Sequence, residues 1–224
     1  SMHIGIAGAG LLGRLLAFEL SRAGHGVEVF DAGACGLPQP QPSPKRGGSP
    51  APYAAGWTAA GMLSPVAELE HAGAEVFALG LRSLQLWPGI VKSLDAPVAF
   101  ALNGSLLLAH RQDAGAAQRV LGRLQARSDA PHQPQALDAQ QLAALEPSVH
   151  GAALAWLLPG EGHIHSVQAM QALAAQATAQ EVEWHWGCAV HSVAQAVLHT
   201  ADGRHSFDHV FDVRGVGARP AAPR

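Results

Sequence analysis

A glycine pattern pinned between two apolar runs restricts this chain more than any other feature. Gly8-Ala9-Gly10-Leu11-Leu12-Gly13 follows the run His3–Ala7 and opens Leu11–Ala23, where Leu12, Leu15, Leu16 and Leu20 recur at helical spacing. A buried strand, a tight turn and an amphipathic helix are expected. Gly24 stands where a glycine stops a helix, and Val27–Asp31 reads as a second strand. A helix between two strands makes the pair parallel, because a hairpin turn cannot contain it. Gly8 permits the tight turn, Gly10 lets a pyrophosphate approach the backbone, and Gly13 lets the helix pack close to the strand. Free N–H groups and the helix dipole then face the phosphates. Asp31 closes the second strand roughly 20 positions beyond the motif, where a carboxylate accepts both ribose hydroxyls and repels a 2′-phosphate. This unit alone does not separate NAD from FAD, and a glycine turn without a nucleotide has the same letters.

Composition narrows the class. The 224 residues suffice for one large domain or two small ones. Hydrophobic residues are 48% and charged residues 14%, which argues against disorder. A net charge of −3 with no basic stripe argues against a nucleic-acid partner. Cys35 and Cys188 are too few for a disulfide framework or a cysteine-only metal site and read as reduced thiols of a cytoplasmic protein. No apolar run is long enough to span a membrane, and Arg14 and Glu19 interrupt the N-terminal helix in a way that a signal peptide does not.

Beyond Asp31, residues 33–52 form a Pro/Gly/Ser-rich loop with no apolar period. Glu75–Leu94 is expected to be helical, with Val76, Leu79, Leu84, Trp87, Val91 and Leu94 toward one side and an end or kink at Pro88. Val98–Leu102 and Ser105–Ala109 flank Asn103-Gly104 and predict a hairpin with a type I′ turn. Asp113–Arg127 is a polar-faced helix, and Asp138 with Gln141 forms a capping box for another. Ala152–Leu158 is a strand and Ser166 caps a helix through Gln180. Val182–Trp186, Ala189–Val193, Val197–Thr200 and His205–Val213 complete a β region that turns at Asp202-Gly203. Glu161, His163 and His165 alternate, as metal ligands on a strand would, but a polar strand face accounts for them and no metal is assigned. His185, His191, His199, His205 and His209 read as solvated side chains of the meander.

The stretch GAGLLGRLLAFELSRAGHGVEVFD, followed by Thr58-Ala59-Ala60-Gly61-Met62-Leu63, resembles the D-amino-acid oxidase superfamily of flavoproteins, above all its glycine oxidases, the oxidases of thiamine biosynthesis. Gly104–His110, Leu145–Pro147 with the later PGEGHI, and Asp208–Arg219 agree in family order. The resemblance implies an α/β fold: a Rossmann-type FAD-binding domain of residues 1–92 and 146–224, with an antiparallel segment, 93–145, inserted as part of a substrate domain. It implies FAD as cofactor and Ala60, Gly61 and Met62 as flavin neighbours. Val190 would meet the adenine through its backbone, and Gly215 would let a returning chain approach the cofactor.

The implied reaction is oxidative deamination. A small amino acid yields hydride to the flavin, the imine hydrolyses, and O₂ takes the electrons to give H₂O₂. The family's carboxylate-clamping Arg and its Tyr lie past the segment matching Arg214–Arg219, so the resemblance names no catalytic residue here, and Tyr53, Arg82 and Arg111 read as ordinary loop and surface side chains. The loop 33–52 exceeds the family's usual length. An uncovered sheet edge also invites pairing with a second copy or with a chain supplying the missing half. Two other readings stay open: a non-catalytic FAD- or nucleotide-binding subunit, and an NAD-dependent dehydrogenase.

Overall fold

A computed structural model describes residues 1–34 and 54–218. The first elements are β1 (His3–Ala7), α1 (Leu11–Arg22), β2 (Gly26–Asp31), β3 (Met62–Leu63), α2 (Pro65–Glu68) and α3 (Ala74–Lys92). Next come β4 (Phe100–Ala101), β5 (Ser105–Ala109), α4 (Ala114–Arg127), β6 (Gln135–Ala136), α5 (Ala139–Leu145), β7 (Leu154–Leu158) and β8 (Gly162–Ile164). The last are α6 (Ser166–Ala179), β9 (Glu183–Trp186), β10 (Val190–Ala194), β11 (Val197–Thr200), β12 (Gly203–Ser206) and β13 (His209–Asp212).

The chain divides into two compact units, one of residues 1–60, 94–98 and 165–224, the other of 61–93 and 99–164. In the first, a parallel sheet runs β13-β1-β2-β9 and an antiparallel sheet runs β10-β11-β12. Apolar β1 carries Ile4, Ile6 and Ala7 into the core, as an inner strand of a parallel sheet must. Helices α1 and α6 pack on each other, burying Ala17, Phe18, Met170 and Leu173. A second cluster joins Ala7, Phe30, Val190, Leu198 and Phe207. Gly5 belongs to it by omission, since a Cβ there would lie 2.6 Å from the Phe207 ring. The second unit holds the three-stranded sheets β3-β8-β4 and β5-β7-β6 around a core of Val66, Leu69, Leu124 and Leu158.

The unit boundaries differ from those read off the sequence. Residues 61–92 and 146–164 supply β3, β7 and β8, whose ladders run to β4, β5 and β6, so they fall in the second unit. The hairpin expected at Asn103-Gly104 is also absent. Gly104 has φ +81°, but Asn103 has no positive φ, so the type I′ geometry is unmet. β4 pairs with β8 and β5 with β7 instead, while the Gly104 N–H donates to the Glu161 carbonyl. Pro88 lies inside α3, which continues to Lys92. One bond lost from the ladder is offset by burial of Leu84 and Trp87 on the neighbouring turn. Its expected apolar stripe is only half used, with Val76 and Leu79 exposed. Two strands, β12 and β13, replace the single run His205–Val213. His165 rather than Ser166 caps α6, through Nδ1 accepting from the Gln168 N–H at 3.3 Å, while the Ser166 hydroxyl donates to the Ala59 carbonyl. The capping box of Asp138 and Gln141 is formed as read.

Glu161, expected on a polar face, is 1% exposed. Its carboxylate accepts the Ala67 N–H of α2 at 2.7 Å and the Ser105 hydroxyl. Burial pushes this carboxyl above the usual range, against the downward pull of those bonds. The folded state therefore favours the protonated form. That contribution is complete below the unfolded value near 4.5 and is lost as pH rises through the folded one. Glu161→Gln should remove this slope: in denaturant titrations wild type loses ground to the variant between pH 4 and pH 8, and the opposite drift would overturn the assignment. Ala196, at φ +59° in the β10–β11 turn, is one of two non-glycine residues described in the left-handed region. Ala196→Gly should stabilise by about 0.5–1 kcal/mol, read as a higher denaturation midpoint.

Candidate functional site

The turn after β1 is built by missing side chains. Gly8 has φ +109°, and a Cβ on it would lie 2.6 Å from the Val213 carbonyl oxygen. Its N–H donates to the Phe30 carbonyl at 2.8 Å, which keeps the turn registered on β2. A Cβ on Gly13 would stand 1.8 Å from the Gly8 carbonyl oxygen, so α1 starts this close to the turn only with glycine there. Gly10 is different. It is the N-cap of α1, and among the described residues a Cβ on it would meet Ala54 Cβ, at an ordinary contact distance of 3.6 Å.

Two opposite charges hold the turn. Asp31 Oδ2 accepts the Ala9 N–H at 2.7 Å and Oδ1 accepts the Gly33 N–H at 2.7 Å. A carboxylate offers about four acceptor positions, so Asp31 keeps capacity for further donors. Arg14, 2% exposed, donates from Nε to the Ala9 carbonyl at 2.8 Å and from Nη1 to the Met170 carbonyl at 2.9 Å. Its guanidinium lies 4.8 Å from the Trp57 ring centroid and 5.5 Å from that of Trp186.

Around this turn lies a largely apolar cavity of about 710 Å³, inside the range of roughly 300–1,000 Å³ usual for small-molecule sites. Of the residues picked out in the sequence, Gly8, Gly10, Asp31, Val190 and Gly215 line it. Gly13 packs beneath the turn, and Gly215 needs its freedom at φ +60°. Ala60 is not in the lining, although Ala59 is. Gly61 and Met62 belong to the second unit. There Gly61, at φ +81°, is locked to β8 by the Ile164 N–H donating to its carbonyl at 2.8 Å, and a Cβ on it would reach the Ile164 carbonyl oxygen at 1.8 Å.

Sequence reasoning missed Arg214 and Asp212, which also line the cavity. Arg214 grips Asp212 with Nε and Nη2, both at 2.8 Å, and its Nη1 donates to the Val190 carbonyl at 2.9 Å. The hydrogen bond from Arg214 holds Asp212 below the usual carboxylate range and, in return, raises Arg214. An arginine directly after a strand and before a glycine turn, as in Asp212-Val213-Arg214-Gly215, was the available signal.

Other candidates disperse. His163 is an exposed residue of β8, and His165 caps α6. His185 is not simply solvated: it stacks on Phe30 with centroids 4.3 Å apart and bonds Glu28 at 2.7 Å. Glu28, Glu183 and His185 each put a ligand atom within 4.8 Å of the others. Both Glu28 oxygens are already taken by His3 and His185, which makes this a hydrogen-bond network of the sheet. Arg82 and Arg111 are exposed, as read. Cys35, Tyr53 and nearly all of the 33–52 loop lie outside the described residues. No described helix is long and apolar enough to cross a membrane.

Comparison with known proteins agrees with this geometry. The family described as "DAO: FAD dependent oxidoreductase" matches residues 3–224. No curated protein matches at a significant level. Among solved structures, glycine oxidase from Geobacillus kaustophilus superposes with TM-score 0.73 at 23% identity, over 95% of this chain and 55% of that one. Iminodiacetate oxidase from Chelativorans sp. BNC1 gives 0.69 at 20%, over 94% and 55%. FAD-bound L-alpha-glycerophosphate oxidase from Mycoplasma pneumoniae gives 0.61 at 16%, over 93% and 52%. The chain thus spans about half the length of these structures, and at such identities the likeness is one of fold.

The glycines separate into two kinds by experiment. Gly13→Ala should cost several kcal/mol, about 3 or more, because the clash is with backbone. Gly10→Ala should stay within about 1 kcal/mol of wild type. Denaturant midpoints of the two variants check this, and equal losses would contradict it.

Proposed function

The chain belongs to the DAO family of FAD-dependent oxidoreductases, and from that premise we propose that its first unit holds the adenine-dinucleotide part of FAD for the oxidation of a small amino acid. The observation that carries the reading is the Gly10 position. It is a helix N-cap that lines a ligand-sized cavity, and among the described residues a Cβ on it would meet no atom closer than 3.6 Å.

The residues present fit the group. The N-terminus of α1 brings no acidic residue into its first turn and no side-chain cap, so its N–H groups remain for a diphosphate. Asp31, with lone pairs to spare beyond Ala9 and Gly33, suits ribose hydroxyls. Val190 and Ala189 offer a wall for the adenine, where Arg214 already occupies the Val190 carbonyl. Gly215 extends that wall, and Ala59–Met62 is the segment proposed beside the flavin ring.

FAD, when bound, supplies a two-electron acceptor for the C–H bond next to an amine nitrogen. For glycine the balance is glycine, O₂ and water giving glyoxylate, ammonia and H₂O₂. Exclusion of water and orientation fall to the protein. In this division of labour the first unit anchors the cofactor, and part of the substrate domain lies in the inserted segment. No residue is assigned to the chemical step.

Purification with added FAD should yield flavin absorbance on the protein, and Gly10→Ala should lower FAD affinity about tenfold or more without unfolding the chain. Colourless protein from both would sink the cofactor reading. Peroxide release with glycine supports full turnover; bound FAD with no peroxide supports a cofactor-binding subunit instead.

A further inference from the structure

Arg14 is a buried cation in the first turn of a helix, where the dipole disfavours positive charge and burial adds a desolvation cost. Its described bonds to backbone carbonyls show what it does there. Its Nε holds the Ala9 carbonyl, and the Ala9–Gly10 peptide, like every described peptide bond, is trans. In a trans peptide the C=O and the following N–H point opposite ways, so a carbonyl turned toward buried Arg14 turns the Gly10 N–H away from it. Asp31 fixes the preceding peptide through the Ala9 N–H. Two consecutive peptide units are thus oriented by an anion on one and a cation on the next. The guanidinium itself lies over the Trp57 and Trp186 rings and is tied to α6 through Met170.

We infer that Arg14 is a positioning residue for an anionic diphosphate: it presents the Gly10 N–H and adds fixed positive charge behind the α1 N-terminus. The inference rests on the nucleotide reading of the cavity and goes beyond the glycine motif, which contains no charge. An arginine at this place stabilises a phosphate ligand through the loop without touching it, so its loss should discriminate between ligands with and without phosphates.

The test compares ADP and adenosine binding to the 224-residue chain by calorimetry, for wild type, Arg14→Met and Arg14→Lys. Arg14→Met should weaken ADP about tenfold to a hundredfold, the range for losing a charge-assisted interaction. Adenosine affinity should stay unchanged. Arg14→Lys keeps the charge but cannot bridge both carbonyls, so its ADP loss should fall between wild type and Arg14→Met. If Arg14→Met does not fold by circular dichroism, Arg14→Lys decides the matter alone by the same ADP-to-adenosine ratio. Equal losses for both ligands, or no loss for ADP, overturn the inference and leave Arg14 a packing residue. A wild type that binds neither ligand removes the nucleotide reading and this inference with it, whereas ADP binding insensitive to Arg14 removes this one only.

Discussion

How closely α1 starts to the end of β1 governs the first unit. Gly13 sits so near the Gly8 carbonyl that no side chain fits between them, and Gly8 in turn lies against the backbone at Val213. Three pieces of main chain therefore converge: the end of β1, the start of α1 and the segment after β13. A convergence of backbone leaves polar groups that need partners, and buried ones are costly to leave without any. Gly8 finds the Phe30 carbonyl, Val213 finds Ala7, and Ala9 finds Asp31 and Arg14. Among the described residues, the first turn of the helix has no side-chain cap.

Much of this was legible in the sequence, for a definite reason. β1, α1 and β2 are specified by local signals that agree: apolar runs, helical spacing, a stop glycine and an acidic strand end. The capping box at Asp138 is equally local. Failures occurred where the partner decides. Asn103-Gly104 has hairpin chemistry, yet β4 and β5 each find a better partner, and a strand's partner is not written in its own residues. Pro88 breaks a helix by its own chemistry and is overruled by the buried Leu84 and Trp87 beside it. The compact units divide the chain elsewhere than local signals do, since β3, β7 and β8 are claimed by ladders to distant strands.

The site shows the same division. Its glycines and Asp31 were readable because backbone approach and a strand-end carboxylate leave fixed spacings. Arg14, Asp212 and Arg214 were not: charge in a sequence reads as surface until burial is known, as for Arg14, and an ion pair that lines a cavity leaves no fixed spacing of its own. Arg14 looked like evidence against a signal peptide and proved to be a buried strut. Glu161 looked like one of an exposed trio and proved to be the carboxylate that ties α2 to the region around Ser105.

At 23% identity or less the likeness to the solved oxidases is one of fold. Polar struts can change while the fold stays, provided that each buried group keeps a partner. In this chain the Asp212–Arg214 grip reaches across to the Val190 carbonyl, and Arg14 reaches from α1 to α6. The first lies in the cavity wall; the second holds the Ala9 carbonyl of the turn beside it. The charged residues of the cavity wall are thus Asp31, Asp212 and Arg214, and buried Arg14 stands outside the lining. It follows that substitutions in the struts should alter how tightly the cavity holds an anion before they alter which fold the chain adopts.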